Sequence, residues 1–186
     1  INRGLVAFYP FNGNANDESG NNRNGTVSDA VLTSDALGNA NRAYQFNGTT
    51  ASISAMLDVS ETSYTAAFWF RTTNAACGLF SVTEAPGGGN DRHITLDSGR
   101  LCARVWNNET IRTGPTNYAD GKWHQVVHLY DSGGTPQRLY VDGQLQVVGT
   151  RSSSDFNWQD RILIGFSSDA ANPYTAGQID QVRIYN

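Results

Sequence analysis

The chain has 186 residues and a formal net charge of −4, from 13 Lys and Arg against 17 Asp and Glu. A hydrophobic share of 39% with 16% charged residues excludes a disordered tail, and no apolar run approaches the roughly 18 residues of a membrane-spanning helix. Lys122 is the only lysine, so the surface lacks the basic field that nucleic-acid phosphates demand.

Helical periodicity is nearly absent. Runs of β-branched and aromatic residues recur between Gly, Asn, Asp and Ser clusters, which is the pattern of an all-β chain. In chain order the expected strands are Leu5–Phe11, Ala43–Phe46, Ala51–Ala55, Tyr64–Thr72, Leu79–Thr83, His93–Leu96, Arg100–Trp106 and Ile111–Thr113. Trp123–Tyr130, Arg138–Val141, Gln144–Val148, Arg161–Phe166 and Gln178–Tyr185 complete the set. About a dozen strands in one chain curl or split rather than form one open sheet, so two packed antiparallel sheets in a single domain over residues 1–186 are expected. Residues 12–25 and 34–41 are nearly all polar and read as irregular loops. Glycine-rich residues 84–91 are followed by no helix pattern, which removes a phosphate-binding loop.

Asp142-Gly143 lies between two extended runs and is a strong hairpin signal, making Trp123–Val148 a three-stranded meander. Trp123 is expected in the core. His124 and His128 share one strand face about 13 Å apart, too far to hold one ion, and are expected to be hydrogen-bonded strand residues. Cys77 and Cys102 fit one disulfide in a secreted chain, against the alternative of two buried thiols; their Cα separation decides. No leader pattern stands at Ile1, so the sequence is expected to be a processed chain or one domain of a longer one.

Four segments, G-L-V-A-F-Y-P-F-N-G-N-A-N-D-E-S-G-N-N-R-N-G-T, G-N-A-N-R-A-Y-Q-F-N-G, G-K-W-H-Q-V-V with L-Y-V-D-G, and G-Q-I-D-Q-V-R-I-Y-N, stand in an order that resembles the LamG-like jelly-roll domains of the concanavalin A-like lectin/glucanase superfamily. The resemblance spans Gly4 to Asn186 and implies a jelly-roll β-sandwich. It also implies a structural calcium where the N- and C-terminal strands meet. The matching ligands are Asp180, carbonyls near Asn12 and at Gly48, and Asp17 as a second carboxylate; oxygen donors in flexible geometry suit that ion. The alternative for Asp180 is a salt bridge or a backbone cap. Alternation places Asp180 with Val182 and Ile184, so it turns inward if they do.

Glycosidases need two facing carboxylates, yet no expected strand carries acids at i and i+2. The chain is therefore expected to be non-catalytic. Alternation leaves Trp69 and Arg71 opposite Phe68 and Phe70, and Arg104 and Trp106 opposite Leu101, Ala103 and Val105. If those strands adjoin, Arg71, His93, Arg104 and Trp106 form one polar-aromatic face suited to a sugar, with its arginines favouring an anionic glycan. Trp158 and Tyr174 are candidates for a rim site. The expected role is glycan binding by an extracellular or cell-surface module attached to other domains. A protein–protein or spacer domain of an adhesin is the rival.

Overall fold

The computed structural model describes residues 3–60, 62–84, 90–105, 109–131, 133, 136–151 and 159–186. Among the described residues fifteen strands run in chain order: β1 (Leu5–Tyr9), β2 (Thr26–Ser28), β3 (Val31–Thr33), β4 (Ala43–Asn47), β5 (Ser52–Met56), β6 (Tyr64–Thr72), β7 (Gly78–Thr83), β8 (Asn90–Asp97), β9 (Arg100–Arg104), β10 (Ile111–Arg112), β11 (Trp123–Tyr130), β12 (Gln137–Val141), β13 (Gln144–Gly149), β14 (Arg161–Ile164) and β15 (Ala176–Tyr185). An eight-stranded antiparallel sheet, sheet A, has the order β13-β12-β11-β6-β15-β4-β3, with β1 also paired to β15. Sheet B has seven strands in the order β10-β9-β8-β7-β14-β5-β2. The two sheets make the expected jelly-roll sandwich. β2 and β3, three exposed or half-exposed residues each, are too short to give an alternation signal.

Inward side chains alternate clearly along β6, where Tyr64, Ala66, Phe68 and Phe70 are buried between half-exposed neighbours. At the meander, Asp142 and Gly143 both take positive φ (50° and 76°), the geometry that matches the strand twist of a two-residue hairpin. The Asp142 carboxylate also accepts bonds from Gln125 N–H at 2.8 Å and pairs with His124 Nδ1 at 2.8 Å. Trp123 is not in the core. It is the cross-strand partner of Arg71 and shares the outward, half-buried side of β11 with Gln125, whereas His124, Val126 and His128 take the inward side.

His128 is fully buried, with Nε2 2.9 Å from Gln137 Oε1. Gln137 Nε2 donates to Thr150 O at 2.8 Å and to Glu109 O, so its Oε1 can only accept and the His128 proton sits on Nε2. Nδ1 has no partner. Burial pulls His128 from 6.5 down to about 4, so on acidification the unfolded chain takes up a proton before the folded one. Stability supplied by neutral His128 is intact above pH 6.5 and is lost as pH falls toward 4, by about 2 kcal/mol at pH 5. Urea titrations at pH 7 and pH 5 should show this loss, and a His128→Gln variant should show a correspondingly smaller difference between the two pH values.

The cysteines do not form a disulfide. Both are free and buried. Cys102 is the cross-strand partner of Thr95, and Thr95 is in turn the partner of Gly78, next to Cys77. The β8 strand therefore lies between them, about 9–10 Å of sheet spacing, beyond the roughly 7 Å Cα limit. Cys77 packs in the core, while Cys102 lines an outer cleft.

Candidate functional site

The outer face of sheet B brings two of the expected ligand residues together. His93 and Arg104 are cross-strand partners on β8 and β9. Residues 166–175 fold over them, stapled to the start of β7: Gly78 N–H donates to Asn172 O at 3.0 Å, and Ser167 N–H donates to Pro173 O at 2.9 Å. A Cβ at Gly78 would lie 2.3 Å from Pro173 O and from Ser167 N, so only glycine permits this approach. The loop delivers Ser167, whose hydroxyl lies 2.8 Å from His93 Nδ1, and Asp169, which accepts from Arg104 Nη2. His93 Nε2 lies 3.9 Å from the same Asp169 oxygen.

Beside this cluster is a cleft of about 450 Å³ lined by Thr95, Asp97, Cys102, Thr110, Arg112 and Asp169, among others. Arg112 donates to Asp97. Arginine–carboxylate pairs at a cleft present fixed donors and acceptors without net charge, a surface that can exchange hydrogen bonds with sugar hydroxyls. Each acid carries a guanidinium, so neither stands ready as the free acid of a glycosidase pair.

Arg71 does not join this face. Its strand, β6, is bonded to β11 and β15, so Arg71 emerges on the outer side of sheet A, across the sandwich from Arg104. Tyr174 pairs with Phe166 in an isolated bridge, their rings edge to face at 4.9 Å. Trp106 and Trp158 lie outside the described residues.

The second candidate is the junction of the terminal strands. The first half of β15 is flanked by β4 and the second by β1. Between them the register of β15 against β6 shifts after Asp180, and Gln181 takes a φ of 51°, a β-bulge. The extra residue breaks the alternation: Ile179, Val182 and Ile184 are all buried inward, and Asp180 pairs with Trp69 on the outer side. Uninterrupted alternation placed Asp180 inward with Val182, which the bulge corrects.

Asp180 is 5% exposed and its Oδ1 has no partner. Burial raises its pKa from 3.8 to about 6, against a lowering contribution from the Gln181 N–H, with Asp35 adding to the rise. A cleft here is lined by Asn12, Glu18, Asp35, Arg42, Asp180 and Arg183 with their neighbours.

Two of the expected ligands do not belong to it. Asp17 organises its own loop, accepting from the Phe8 and Ser19 N–H groups at 2.9 Å, the Ser19 hydroxyl at 2.9 Å and Arg23 N–H at 3.0 Å. Gly48 N–H donates to Thr175 O at 2.8 Å, five residues before Asp180 and about 16 Å away along a strand. Asp35 is the acid that shares the cleft with Asp180, although its own carboxylate also accepts from the Leu37 and Asn39 N–H groups at 2.8 and 2.9 Å and from Asn39 Nδ2 at 2.9 Å. It lies in a loop recognisable as polar, but only the fold over sheet A brings it to β15. Among the described residues no three His, Cys, Asp or Glu side chains converge, so any cation here would also draw on amide or carbonyl oxygens such as those of Asn12, a donor set calcium accepts.

A family model described as the concanavalin A-like lectin/glucanases superfamily matches residues 45–186. The chain belongs to that superfamily. Among solved structures, the chain is similar to domain 4 of an extracellular arabinanase from Geobacillus stearothermophilus, determined in complex with arabinotriose, at 19% identity and a TM-score of 0.72, covering 98% of this chain and 92% of that one. It is also similar to the binding domain of botulinum neurotoxin serotype D, at 16% identity and a TM-score of 0.72, covering 100% of this chain. A botulinum neurotoxin type C structure, in which cell entry depends on interaction with two ganglioside molecules, matches at 13% identity and a TM-score of 0.76. The chain spans 49% and 48% of these two toxin chains. Comparison with curated protein sequences gave no match. Among the described residues, no helix is long and apolar enough to cross a membrane.

Proposed function

We propose that this domain is a non-catalytic carbohydrate-binding module of a larger extracellular or cell-surface protein, stabilised by calcium at Asp180. The observation that carries the reading is the polar cleft on the outer face of sheet B, where the Arg104–Asp169 and Arg112–Asp97 pairs stand beside His93. Such pairs hold hydrogen-bond donors and acceptors in fixed directions at little entropic cost on binding. The arabinotriose of the arabinanase neighbour supports a neutral oligosaccharide as ligand, and the extracellular setting of that neighbour supports the location. Asp180, Asp35 and Asn12 supply the oxygens for the cation.

Titration calorimetry with arabinotriose tests the reading, preceded by a glycan-array screen to rank neutral oligosaccharides. Arg104→Ala should weaken binding about tenfold or more by removing a charge-assisted donor and freeing Asp169, with little change in melting temperature because Arg104 is partly exposed. A full-strength complex in this variant, or an array without a single neutral glycan bound, would count against the sheet B site. Array silence together with capture of a protein partner would favour the spacer reading.

A further inference from the structure

The outer face of sheet A carries a second cleft, chemically unlike the first. Register places Trp123, Arg71, Gln178 and Gln45 in one row across β11, β6, β15 and β4. Trp69 stands one row away on the same side of β6. At this row a cleft of about 330 Å³ is lined by Gln45, Arg71, Thr73, Gly121 and Gln178, with Thr72, Ala176 and Gly177 completing it.

Among the described residues no acid lines this cleft. Arg71 is exposed, its Nε donates to Gly121 O at 2.7 Å, and among the described residues it forms no ion pair. Asp120, next to Gly121 in sequence, is already engaged by Lys122 at 3.2 Å and His124 at 3.1 Å. Three outward arginines of sheet B differ in this respect: Arg104, Arg112 and Arg161 each rest on a carboxylate, while Arg100 turns its Nε and Nη2 onto the Thr113 carbonyl. Anchoring Nε leaves both terminal nitrogens of Arg71 available on one side of a guanidinium whose orientation is already set, an arrangement suited to two parallel bonds to a carboxylate. Gln45 Nε2 donates to Gly177 O at 3.0 Å, and Gln178 Nε2 donates to Thr33 Oγ1 at 3.2 Å. Those bonds orient the amides and leave their Oε1 atoms as acceptors for hydroxyl groups. Trp123, the cross-strand partner of Arg71, and Trp69, one row away, are both half-buried at the margin of the cleft, and indole is the kind of surface that packs on the apolar face of a pyranose.

We infer that this row is a second saccharide site, specific for a sugar bearing a carboxylate, with Arg71 taking the carboxylate, Gln45 and Gln178 the hydroxyls, and Trp123 the ring face. The ligand class rests on the carbohydrate-binding reading of the domain, but the location does not. Of the two arginines expected on the ligand face, Arg104 rests on Asp169, so the anionic preference expected from them attaches to Arg71, which has no acid partner among the described residues. Ligands on the two faces bind independently and do not compete.

Amide NMR titration of the full domain with trigalacturonate, 3′-sialyllactose and arabinotriose separates the faces. The acidic sugars should shift Thr73, Gly121 and Gly177, and arabinotriose should shift Asp169, Ala170 and Ala171. Arg71→Gln should weaken the acidic ligands about tenfold, Arg71→Lys should weaken them less and with a steeper salt dependence, and Arg104→Gln should leave them unchanged. Absence of shifts at Gly121 and Gly177 with both acidic sugars at millimolar concentration overturns the inference. So does an Arg71→Gln domain that retains its native melting temperature and full acidic-sugar affinity. Failure of arabinotriose alone would instead remove the sheet B reading and leave this one standing.

Discussion

Arg92→Leu is expected to destabilise the domain by about 3–5 kcal/mol, the range for removing one partner of a buried ion pair. Arg92 is fully buried at a β-bulge of β8, with a φ of 48°. There the register against β7 jumps from Val82–Asp91 to Phe80–Ile94. Its Nε donates to Asp91 at 2.7 Å, Nη1 donates to Val59 O at 2.6 Å and Ser60 O at 3.1 Å, and Nη2 donates to Gln159. Leucine would leave Asp91, 1% exposed, with an uncompensated charge and two carbonyls without this donor. Burial already pushes the Asp91 carboxyl up even with Arg92 beside it. The urea midpoint should therefore fall with little change in slope. An Asp91→Asn/Arg92→Leu double variant should recover part of the loss, because the stranded charge is gone. A single variant within about 1 kcal/mol of wild type would show that the pair is not the structural tie between the bulge and residues 59–60.

The sandwich was legible because alternation and turn chemistry are local. The β6 and β11 strands could be bounded to the residue, and Asp142-Gly143 takes the positive φ values that its composition requires. What failed was whatever depended on one extra residue or on which strands are neighbours. The Gln181 bulge reverses the phase of β15, and no periodicity count can place such a bulge in advance, since Val182 and Ile184 look the same on either side of it. Arg71 and Arg104 were each correctly assigned to an outward face, yet the faces belong to opposite sheets because β6 pairs with β11 and β15. Cys77 and Cys102 failed for the same reason, with β8 between them. Asp17 looked like a ligand because loop acids often are, but a carboxylate can equally be consumed by its own loop's N–H groups. Trp123, apolar by type, sits outside because its neighbour His124 holds the inward position through Asp120 and Asp142.

Calcium at saturation is expected to raise the melting temperature by about 5–10 °C, from about 3 kcal/mol of linked binding energy at a hundredfold excess over Kd in a domain of this size. The orphaned Asp180 Oδ1 and the presence of Asp35 in the same cleft are unfavourable together in a partly desolvated site without a cation. Arg42 and Arg183 also line the cleft, but Arg42 Nη1 donates to Asn12 Oδ1 and Arg183 lies 4.1 Å above the Phe8 ring and donates to the Gln181 carbonyl at 3.3 Å; neither supplies the missing partner of Oδ1. Asp180→Asn should abolish the calcium response, and Asp35→Asn should weaken it. Asp17→Asn should lower the baseline melting temperature by loosening its loop while preserving the calcium shift, which separates a ligand from a loop-organising acid. Because Asp180 opens on sheet A and the Arg104 cleft on sheet B, chelation should lower the melting temperature and leave arabinotriose affinity intact at 25 °C. A melting curve unmoved by millimolar calcium would remove the cation, and loss of the sugar with the chelator would move the neutral-glycan site to the terminal-strand junction.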